Sequence, residues 1–270
     1  MNSPRARVVQ KEHLAFYEEH GYVHVPKVFN QDEVKALRDE LAFLLDTWAI
    51  TAMGWSGDWR KEYMDEETEK KSKLTHLHDL QLYSEAWNNA VNNPILVNVL
   101  SDVLGPNVEF HHTTLHLKPP QTGHPFPMHQ DMAFYEHEND QYVDVLLHLD
   151  DTCHENGEIR FIDGSHKWGY LQHLQRDSEG RGCTPYLPTD KYTLEDSVPV
   201  PAKAGDVVLF NVNTIHGSHI NQTPHMRRMI RMGYRNPENK QFNGQSCTRP
   251  GRMVAGRRPL GCLAPPDGER

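Results

Sequence analysis

From residue 107 onward, the sequence is built of short β-type runs separated by turn residues, and this pattern constrains the fold more than any other feature. The runs that predict strands cover residues 108–117, 143–149, 158–162, 207–212 and 226–234. No helical pattern of roughly 10 to 15 residues alternates with them, as a parallel, doubly wound sheet would require. We therefore expect an antiparallel sandwich or barrel, in which Asn156-Gly157 marks a tight hairpin.

The first part of the chain, up to about residue 105, shows helical rather than β-type periodicity. Asn30 and Glu33 have the spacing of a capping box, so one helix is predicted to begin directly after Asn30. Its apolar residues follow at helical spacing and predict a stripe that packs against a larger surface. Further helices are predicted over residues 11–20, 84–92 and 94–104, and a small strand over 22–25. We expect these helices to cover one outer face of the β core.

Composition and charge exclude several classes of function. Lys and Arg number 28 against 37 Asp and Glu, so binding to nucleic acid by neutralising phosphates is not expected. No run approaches the ~20 apolar residues of a membrane span. Residues 1–10 lack the apolar run of a secretory signal, and the four cysteines suggest neither a disulfide framework nor a zinc site. We therefore expect a cytoplasmic protein.

The densest group of metal-binding residue types is His129-Gln130-Asp131, in a chain with 18 histidines. On an extended segment, residues i and i+2 point to the same side, so the imidazole and the carboxylate can bind one ion. A third ligand is sought at His216 or His219. Two histidines and one carboxylate leave about three coordination positions open, which is typical of non-haem iron(II) oxygenases. Arg227 follows nearby, and its planar guanidinium suits the far carboxylate of 2-oxoglutarate.

Several short motifs follow one another in a characteristic order. They are His129-Gln130-Asp131, Asn156-Gly157, Gly164-Ser165-His166, Gly205-Asp206, and His216-Gly217-Ser218 with Arg227. Together with the N-terminal run 16–45, they resemble the phytanoyl-CoA dioxygenase (PhyH) family of iron(II)- and 2-oxoglutarate-dependent oxygenases, over residues 11–236. The resemblance implies a mainly β protein with flanking helices, built on a double-stranded β-helix (a jelly-roll, cupin-like barrel) with the metal inside one end.

On this resemblance we expect residues 1–270 to form a single oxygenase domain. Its helical part covers about 1–105 and packs on a jelly-roll core over about 106–236. Residues 237–270 form a C-terminal extension, which we expect to be loosely ordered from Gln245 onward and to carry no chemistry.

Matched position by position, the resemblance implies that His129, Asp131 and His216 bind iron(II). The family spacing to Arg227 favours His216 over His219. Halogenating relatives replace the carboxylate ligand by a small residue, so Asp131 favours hydroxylation. The implied reaction uses O₂ and 2-oxoglutarate to hydroxylate an unactivated C–H bond of a small molecule, and it releases succinate and CO₂. Desaturation, epoxidation and ring formation stay open as outcomes.

The resemblance also implies residues for the cosubstrate. Arg227 would hold the distal carboxylate of 2-oxoglutarate, helped by the Ser218 hydroxyl. Thr114 and Lys118, on the strand before the metal motif, match positions that contact the cosubstrate in some members. Because alternate residues of a strand share a face, a cavity-facing Thr114 places His112 in the cavity as well.

The last predicted strand poses a conflict about which arginine faces inward. Alternation assigns Arg228 to the more apolar face, whereas the motif spacing turns Arg227 inward, and we follow the motif. The apolar face then packs against the N-terminal helices, and Arg231 lies on the cavity side with Arg227. We expect Arg231 either to pair with an acidic group of the substrate or to be a solvated arginine at the barrel rim.

Aromatic candidates for the substrate pocket are Phe134, Tyr135, Trp55 and Trp59; for the tryptophans, packing between the helices and the barrel is the alternative. The polar stretches 50–80 and 171–198 are either lids over the barrel mouth or ordinary surface loops. Two other functions stay open: a metal-dependent hydrolase that uses the same triad to activate water, and a non-catalytic jelly-roll binding protein. The expected partner is a small-molecule substrate, with no nucleic acid and no membrane, and the oligomeric state stays open.

Overall fold

Two antiparallel sheets face each other in the computed structural model, which describes residues 11–121, 123–247 and 249–262. The expectations for residues 1–10 and for the last residues of the C-terminal extension lie outside the described residues. The helices are α1 (Lys11–His20), α2 (Gln31–Thr47), α3 (Arg60–Tyr63), α4 (Glu66–Lys71), α5 (Glu85–Ala90) and α6 (Pro94–Leu104). The strands are β1 (Tyr22–Val25), β2 (Ile50–Ala52), β3 (Leu74–His76), β4 (Val108–Lys118), β5 (Phe126–His129), β6 (Tyr142–His148), β7 (Ile159–Phe161), β8 (Leu174–Arg176), β9 (Gly182–Tyr186), β10 (Val198–Val200), β11 (Val207–Asn211), β12 (His216–Ser218), β13 (Arg227–Arg235) and β14 (Arg252–Ala255).

The larger sheet has the strand order β1-β11-β6-β13-β4-β3-β2, and β14 adds to β4. The smaller sheet has the order β10-β7-β12-β5, and β8 pairs with β9 in a separate hairpin. Strand β13 lies inside the larger sheet, hydrogen bonded to β4 on one side and to β6 on the other. The expected mainly β, jelly-roll type of fold is confirmed, although the two sheets are not joined into a closed barrel.

The N-terminal helices cover the outer face of the larger sheet. The predicted capping box starts α2: the Asn30 side chain accepts a hydrogen bond from the Glu33 backbone N–H, and the Glu33 carboxylate accepts one from the Asn30 N–H. The apolar stripe of α2 is buried against β4, β6, β11 and β13 through Val34, Leu37, Leu41 and Leu44. Burial of this stripe, together with apolar residues of α5 and α6 in the same cluster, holds the helices on the sheet.

The faces of β13 settle which arginine points inward. Ile230 and Met232 lie in the outer cluster with the helices, and Arg228, on that same face, forms an ion pair with Asp150 at 2.6 Å. Because side chains alternate along a strand, Arg227 points to the opposite face, into the space between the sheets. It is fully buried there.

One part of the space between the sheets is apolar. Leu146, Val208 and Phe210 of the larger sheet pack there on Ile159 and Phe161 of the smaller sheet. The ring of His216, at the start of β12, borders this cluster, with its centroid 4.5 Å from that of Phe210. The polar side chains described below lie beside this apolar filling, so the two sheets position them between two rigid layers.

The turn at Asn156-Gly157 differs from the predicted tight hairpin. Residues His154–Asn156 form a 3₁₀ turn, and Gly157 adopts a φ of 75°. The strands on either side, β6 and β7, belong to different sheets, so the turn connects the two layers. The Asn-Gly signal marks a turn correctly, but which strands pair depends on contacts distant in the chain.

The C-terminal extension is more ordered than expected in its described residues. Strand β14 pairs with β4, and Arg258 forms an ion pair with Glu109. The two polar stretches also have structure of their own: residues 50–80 add β2 and β3 to the edge of the larger sheet, and 171–198 contain the β8-β9 hairpin. A backbone hydrogen bond of 3.1 Å from Thr184 to Ser56 joins them.

None of the helices in the part of the chain that the structure describes has the length and apolar character needed to cross a membrane.

Candidate metal centre and cosubstrate pocket

Three side chains that can bind a metal converge between the sheets. His129 ends β5, Asp131 opens the 3₁₀ turn that follows, and His216 begins β12, where its Cα pairs with that of His129. Asp131 Oδ1 lies 3.5 Å from His129 Nε2 and 3.9 Å from His216 Nε2. One ligand atom from each residue lies within 4.8 Å of the other two, and all three residues are buried. The other candidate, His219, instead faces His154, with ring centroids 4.9 Å apart.

The two imidazoles are oriented by backbone carbonyls. His129 Nδ1 lies 2.8 Å from the Pro127 carbonyl oxygen, and His216 Nδ1 lies 3.0 Å from that of Thr214. A carbonyl oxygen only accepts, so each Nδ1 carries the proton and each Nε2 presents its lone pair. Burial, with a contribution from His129, lowers the pKa of His216 to about 3, which keeps its ring in the neutral, metal-binding form.

The Asp131 carboxylate divides its two oxygens between two sets of neighbours. Oδ1 faces the imidazoles, whereas Oδ2 accepts a hydrogen bond of 2.8 Å from Arg231 Nη1. Burial acts to raise the pKa of Asp131, but the Arg231 guanidinium and the two histidines outweigh it and hold the pKa well below its usual range. Two imidazoles whose Nε2 atoms face the carboxylate, and one ionised carboxylate, are a donor set that fits iron(II).

Gln130, between the two ligands His129 and Asp131, is hydrogen bonded to two other segments of the chain. The sequence alone had not indicated a role for it. Its side-chain N–H groups donate hydrogen bonds of 2.7 Å to the Gly169 and Asn213 carbonyls, and its oxygen accepts one of 2.7 Å from the Leu171 N–H. The available signal was its place between His129 and Asp131, because a residue between two inward ligands points away from the metal.

A second group of buried polar side chains lies on β4, β12 and β13. Arg227 donates hydrogen bonds to the carbonyls of His116 (3.1 Å) and Gly157 (3.3 Å), and its Nε has no partner. Lys118, paired with Arg227 across the strands, donates to Ser218 Oγ at 2.8 Å and to the His219 carbonyl. Both cationic side chains are fully buried.

Neither of these two cationic groups is in direct contact with a carboxylate of the described residues. Among the described residues, no carboxylate forms an ion pair with Arg227 or Lys118. Burial lowers the pKa of Arg227 to about 10, and burial together with the Arg227 charge lowers the pKa of Lys118 well below its usual range. Since buried charges are normally paired, the arrangement is suited to an anionic ligand. A carboxylate ligand would meet two cations and the Ser218 hydroxyl.

Thr114 and His112 share the inner face of β4 with Lys118. Thr114 Oγ1 lies 3.2 Å from His78 Nδ1 and accepts a hydrogen bond of 3.3 Å from Gln245 Nε2. His112 is fully buried, and its Nε2 lies 3.4 Å from Arg231 Nη2. His112 therefore lies against the arginine that contacts Asp131, whereas Thr114 contacts His78 and Gln245.

The aromatic candidates fall into two groups. Trp55 packs edge-on against His129, with ring centroids 4.7 Å apart, and Phe134 lies 4.8 Å from Trp55 and 5.6 Å from His129. Trp55 and Phe134 thus form a wall beside the metal ligands. Tyr135 and Trp59 are fully buried, Tyr135 with its hydroxyl on Asp144 and Trp59 among the residues of α3 and β9.

Arg231 is not the solvated arginine at the barrel rim that one of the two expectations described. The residue is buried rather than solvated at a rim, and its Nη1 donates to Asp131 Oδ2 and, at 3.0 Å, to the Tyr135 hydroxyl. Its guanidinium therefore pairs with an acidic group of this chain, in the position where we expected it to meet an acid of the substrate.

A groove of about 340 Å³ lies next to Thr114, and the C-terminal segment forms one of its sides. It is lined by His78, Asp79, Gly244, Gln245, Ser246, Cys247 and Arg249. Arg249 holds the segment through an ion pair of 2.9 Å with Asp79. The sequence pointed to no role for these residues, because nothing local indicates that residue 245 returns to β4.

The chain matches the family model described as phytanoyl-CoA dioxygenase (PhyH) over residues 17–229. It is 28% identical over 222 residues to the probable alpha-ketoglutarate-dependent hypophosphite dioxygenase of Stutzerimonas stutzeri, with 81% of this chain and 76% of that protein covered. It is 25% identical over 236 residues to the L-proline trans-4-hydroxylase of Streptomyces griseoviridis, with 81% and 83% covered.

Among solved structures, the fold is similar to that of the non-heme alpha ketoglutarate dependent carbocyclase SnoK from nogalamycin biosynthesis. The TM-score is 0.72 at 20% sequence identity, and the match covers 92% of this chain and 94% of the other. This likeness extends over the helices as well as the two sheets, so it supports the whole architecture described above.

Proposed function

The chain belongs to the phytanoyl-CoA dioxygenase family, and from this premise we propose that His129, Asp131 and His216 bind iron(II) while Arg227 binds 2-oxoglutarate. The protein is an iron(II)- and 2-oxoglutarate-dependent dioxygenase. When bound, iron(II), 2-oxoglutarate and O₂ supply the oxidation of a substrate C–H bond, with release of succinate and CO₂.

One observation carries the residue assignment: the strand that begins with His216 of the triad also carries Ser218, which accepts a hydrogen bond from Lys118, and Lys118 pairs across the strands with the buried Arg227. Arg227 has no carboxylate partner among the described residues. The triad supplies three ligands, and 2-oxoglutarate is a dianion whose far carboxylate needs a cation. Arg227 suits that carboxylate because a guanidinium can donate two parallel hydrogen bonds to it. Its unpartnered Nε is one donor that is available for this purpose.

The other cosubstrate residues have supporting roles. Lys118 brings a second cationic group, and the Ser218 hydroxyl, two residues beyond His216 on β12, accepts a hydrogen bond of 2.8 Å from it. We propose that Ser218 donates to the same carboxylate as Arg227, and that Thr114 lines the pocket on the β4 side.

We propose that aromatic side chains exclude water from the metal site. Trp55 and Phe134 lie edge-on to His129, and Phe210 and Phe161 border His216 on the other side. A site closed in this way strengthens the electrostatic interactions inside it and protects reactive species from solvent. We propose that a small-molecule substrate binds against Trp55 and Phe134, and that hydroxylation is the outcome because Asp131 supplies a carboxylate ligand.

We propose that the described chain works as one oxygenase domain, because the helices and the larger sheet share one apolar cluster. A cytoplasmic location is proposed since Cys153, Cys183, Cys247 and Cys262 are all free thiols.

The test is succinate formation from 2-oxoglutarate with added iron(II), ascorbate and O₂, across a panel of small-molecule substrates. We expect O₂-dependent succinate release that a matching substrate increases and that His216→Ala abolishes. Substrate cleavage by the zinc-loaded protein without O₂ or 2-oxoglutarate would favour the hydrolase alternative. Ligand binding without turnover, in protein shown to hold iron(II), would favour the binding protein.

A further inference from the structure

Arg231 occupies a position that the reaction described above does not use. It lies on β13 four residues after Arg227, on the same inner face of the strand. Its Nη1 donates hydrogen bonds to Asp131 Oδ2 at 2.8 Å and to the Tyr135 hydroxyl at 3.0 Å. Its Nη2 lies 3.4 Å from His112 Nε2. One guanidinium therefore contacts a proposed metal ligand and two neighbouring side chains.

The acidic side chain of Asp144 also lies close to the guanidinium, although no hydrogen bond joins them. Asp144 Oδ1 lies 3.8 Å from Arg231 Nε, and Asp144 Oδ2 accepts a hydrogen bond of 2.7 Å from Tyr135. Arg231, Tyr135 and Asp144 are all buried, so few rotamers are open to any of them. The guanidinium is thus fixed before a metal arrives.

We infer that Arg231 is a positioning residue for the metal centre: it holds Asp131 Oδ2, so that the carboxylate offers only Oδ1 to the metal. The inference rests on the proposed function, because it takes Asp131 as a metal ligand. A carboxylate free to rotate presents Oδ1 to the metal only part of the time, and metal binding then has to order it, which lowers the affinity. With Oδ2 engaged, Asp131 takes one position and leaves the others for 2-oxoglutarate and O₂.

Arg235 provides a matched control on the same strand and the same face. It is buried to a similar extent and forms an ion pair of 2.8 Å with the buried Glu109, which is not part of the triad. Arg231→Gln and Arg235→Gln each remove a buried guanidinium from a buried carboxylate. Only the first change touches a metal ligand, so the comparison separates positioning from general loss of stability.

The sign of the effect distinguishes positioning from charge. Arg231 carries a positive charge close to the metal position, and its removal by itself would strengthen the binding of a cation. Loss of a partner that orients a metal ligand weakens metal binding, typically by about 10- to 100-fold. Positioning and simple electrostatics therefore predict opposite changes in metal affinity.

The experiment is an anaerobic titration of each protein with Co(II), read by visible absorption, with 2-oxoglutarate then added to the loaded protein. We expect Arg231→Gln to bind Co(II) about tenfold or more weakly than the native protein. We also expect its Co(II) spectrum, and the change on adding 2-oxoglutarate, to differ from those of the native protein. Arg235→Gln should keep the native spectrum and an affinity within about twofold, whatever its melting temperature.

Arg231→Lys keeps the positive charge but has a single nitrogen that can donate hydrogen bonds, so its Co(II) affinity should be intermediate. If Arg231→Gln does not fold, this variant is used for the test. An unchanged or stronger Co(II) affinity in a folded Arg231 variant would overturn the inference. An equal loss in Arg235→Gln would do the same, since it would assign the effect to stability. Failure of the native protein to bind Co(II) would instead remove the proposed function.

Discussion

Arg227→Met separates the stability of the empty pocket from its affinity for the cosubstrate. The substitution removes two hydrogen bonds to the carbonyls of His116 and Gly157, each contributing about 1 kcal/mol. It also removes a buried positive charge that has no carboxylate partner among the described residues, and relief of that penalty offsets the loss. We therefore expect the unfolding free energy without cosubstrate to stay within about 1 kcal/mol of native, or about 2 to 4 °C in Tm.

With cosubstrate present, the native protein and the variant diverge. A ligand at about 100 times its Kd stabilises the native protein by about 2.7 kcal/mol, which corresponds to roughly 5 to 10 °C in Tm. Two charge-assisted hydrogen bonds to the distal carboxylate contribute about 1.5 to 3 kcal/mol each, so their loss weakens binding about 100-fold or more. At the same 2-oxoglutarate concentration, the variant then gains only about 0.4 kcal/mol, or less than about 2 °C.

The assay is calorimetric melting of the Mn(II)-loaded protein, with and without 2-oxoglutarate. Arg228→Met is the matched control, because it removes the neighbouring arginine of β13 and its ion pair with Asp150 on the outer face. The control should melt lower but keep the full shift caused by the ligand. A native-sized shift in Arg227→Met would refute the assignment of Arg227. So would a loss of several kcal/mol in the empty variant, because the guanidinium would then be a structural group.

Two further changes test the pocket wall and the acid stability. Gly157→Ala should lower the unfolding free energy by about 1 to 2 kcal/mol in chemical denaturation, because the φ of residue 157 is 75°. It should also raise the KM for 2-oxoglutarate, because the added Cβ would meet the His219 carbonyl and Lys118 Nζ. An unchanged KM would contradict this. Asp206→Asn should destabilise the protein most near neutral pH. Burial acts to raise the pKa of Asp206, but hydrogen bonds from the Lys27 and Lys203 N–H groups and from His24 lower it. Its stabilisation is therefore present above the unfolded-state pKa of about 3.9 and disappears as the pH falls through the folded-state pKa. A difference between native and variant that stays constant from neutral to acidic pH would show that the carboxylate charge is not involved.

Elements with local signals were the most predictable from sequence. The bounds of α1, β1 and α6 agree with the predicted ones, because caps, glycines and apolar periodicity act over a few residues. Asn156-Gly157 shows the limit of such signals. The dipeptide does form a turn, but β6 pairs with β11 and β13 rather than with β7. Pairing is decided by which apolar faces meet across the fold, and no local pattern contains that information.

The candidate site was predictable in part. The i, i+2 spacing of His129 and Asp131 is local, so their common direction follows from strand geometry. The approach of His216 depends on the pairing of β12 with β5, which joins segments far apart in the chain. The resemblance of the motifs to a known family supplied that step. The role of Gln245 was not predictable, because its contact with Thr114 depends on how β14 returns along β4.

The inner face of β13 links the two proposals through its charges. Arg227, Arg231 and Arg235 follow each other at four-residue spacing on that face, and all three are buried. The alternation of side chains along a strand predicts that these three arginines share one face, but it does not predict which anion each of them contacts. Two of them meet carboxylates of this chain: Arg231 pairs with Asp131 and Arg235 with Glu109. Arg227 alone has no such partner among the described residues. Because a buried charge is normally paired with an opposite charge, this row supports the proposal that Arg227 takes its anion from a ligand, the dianionic 2-oxoglutarate.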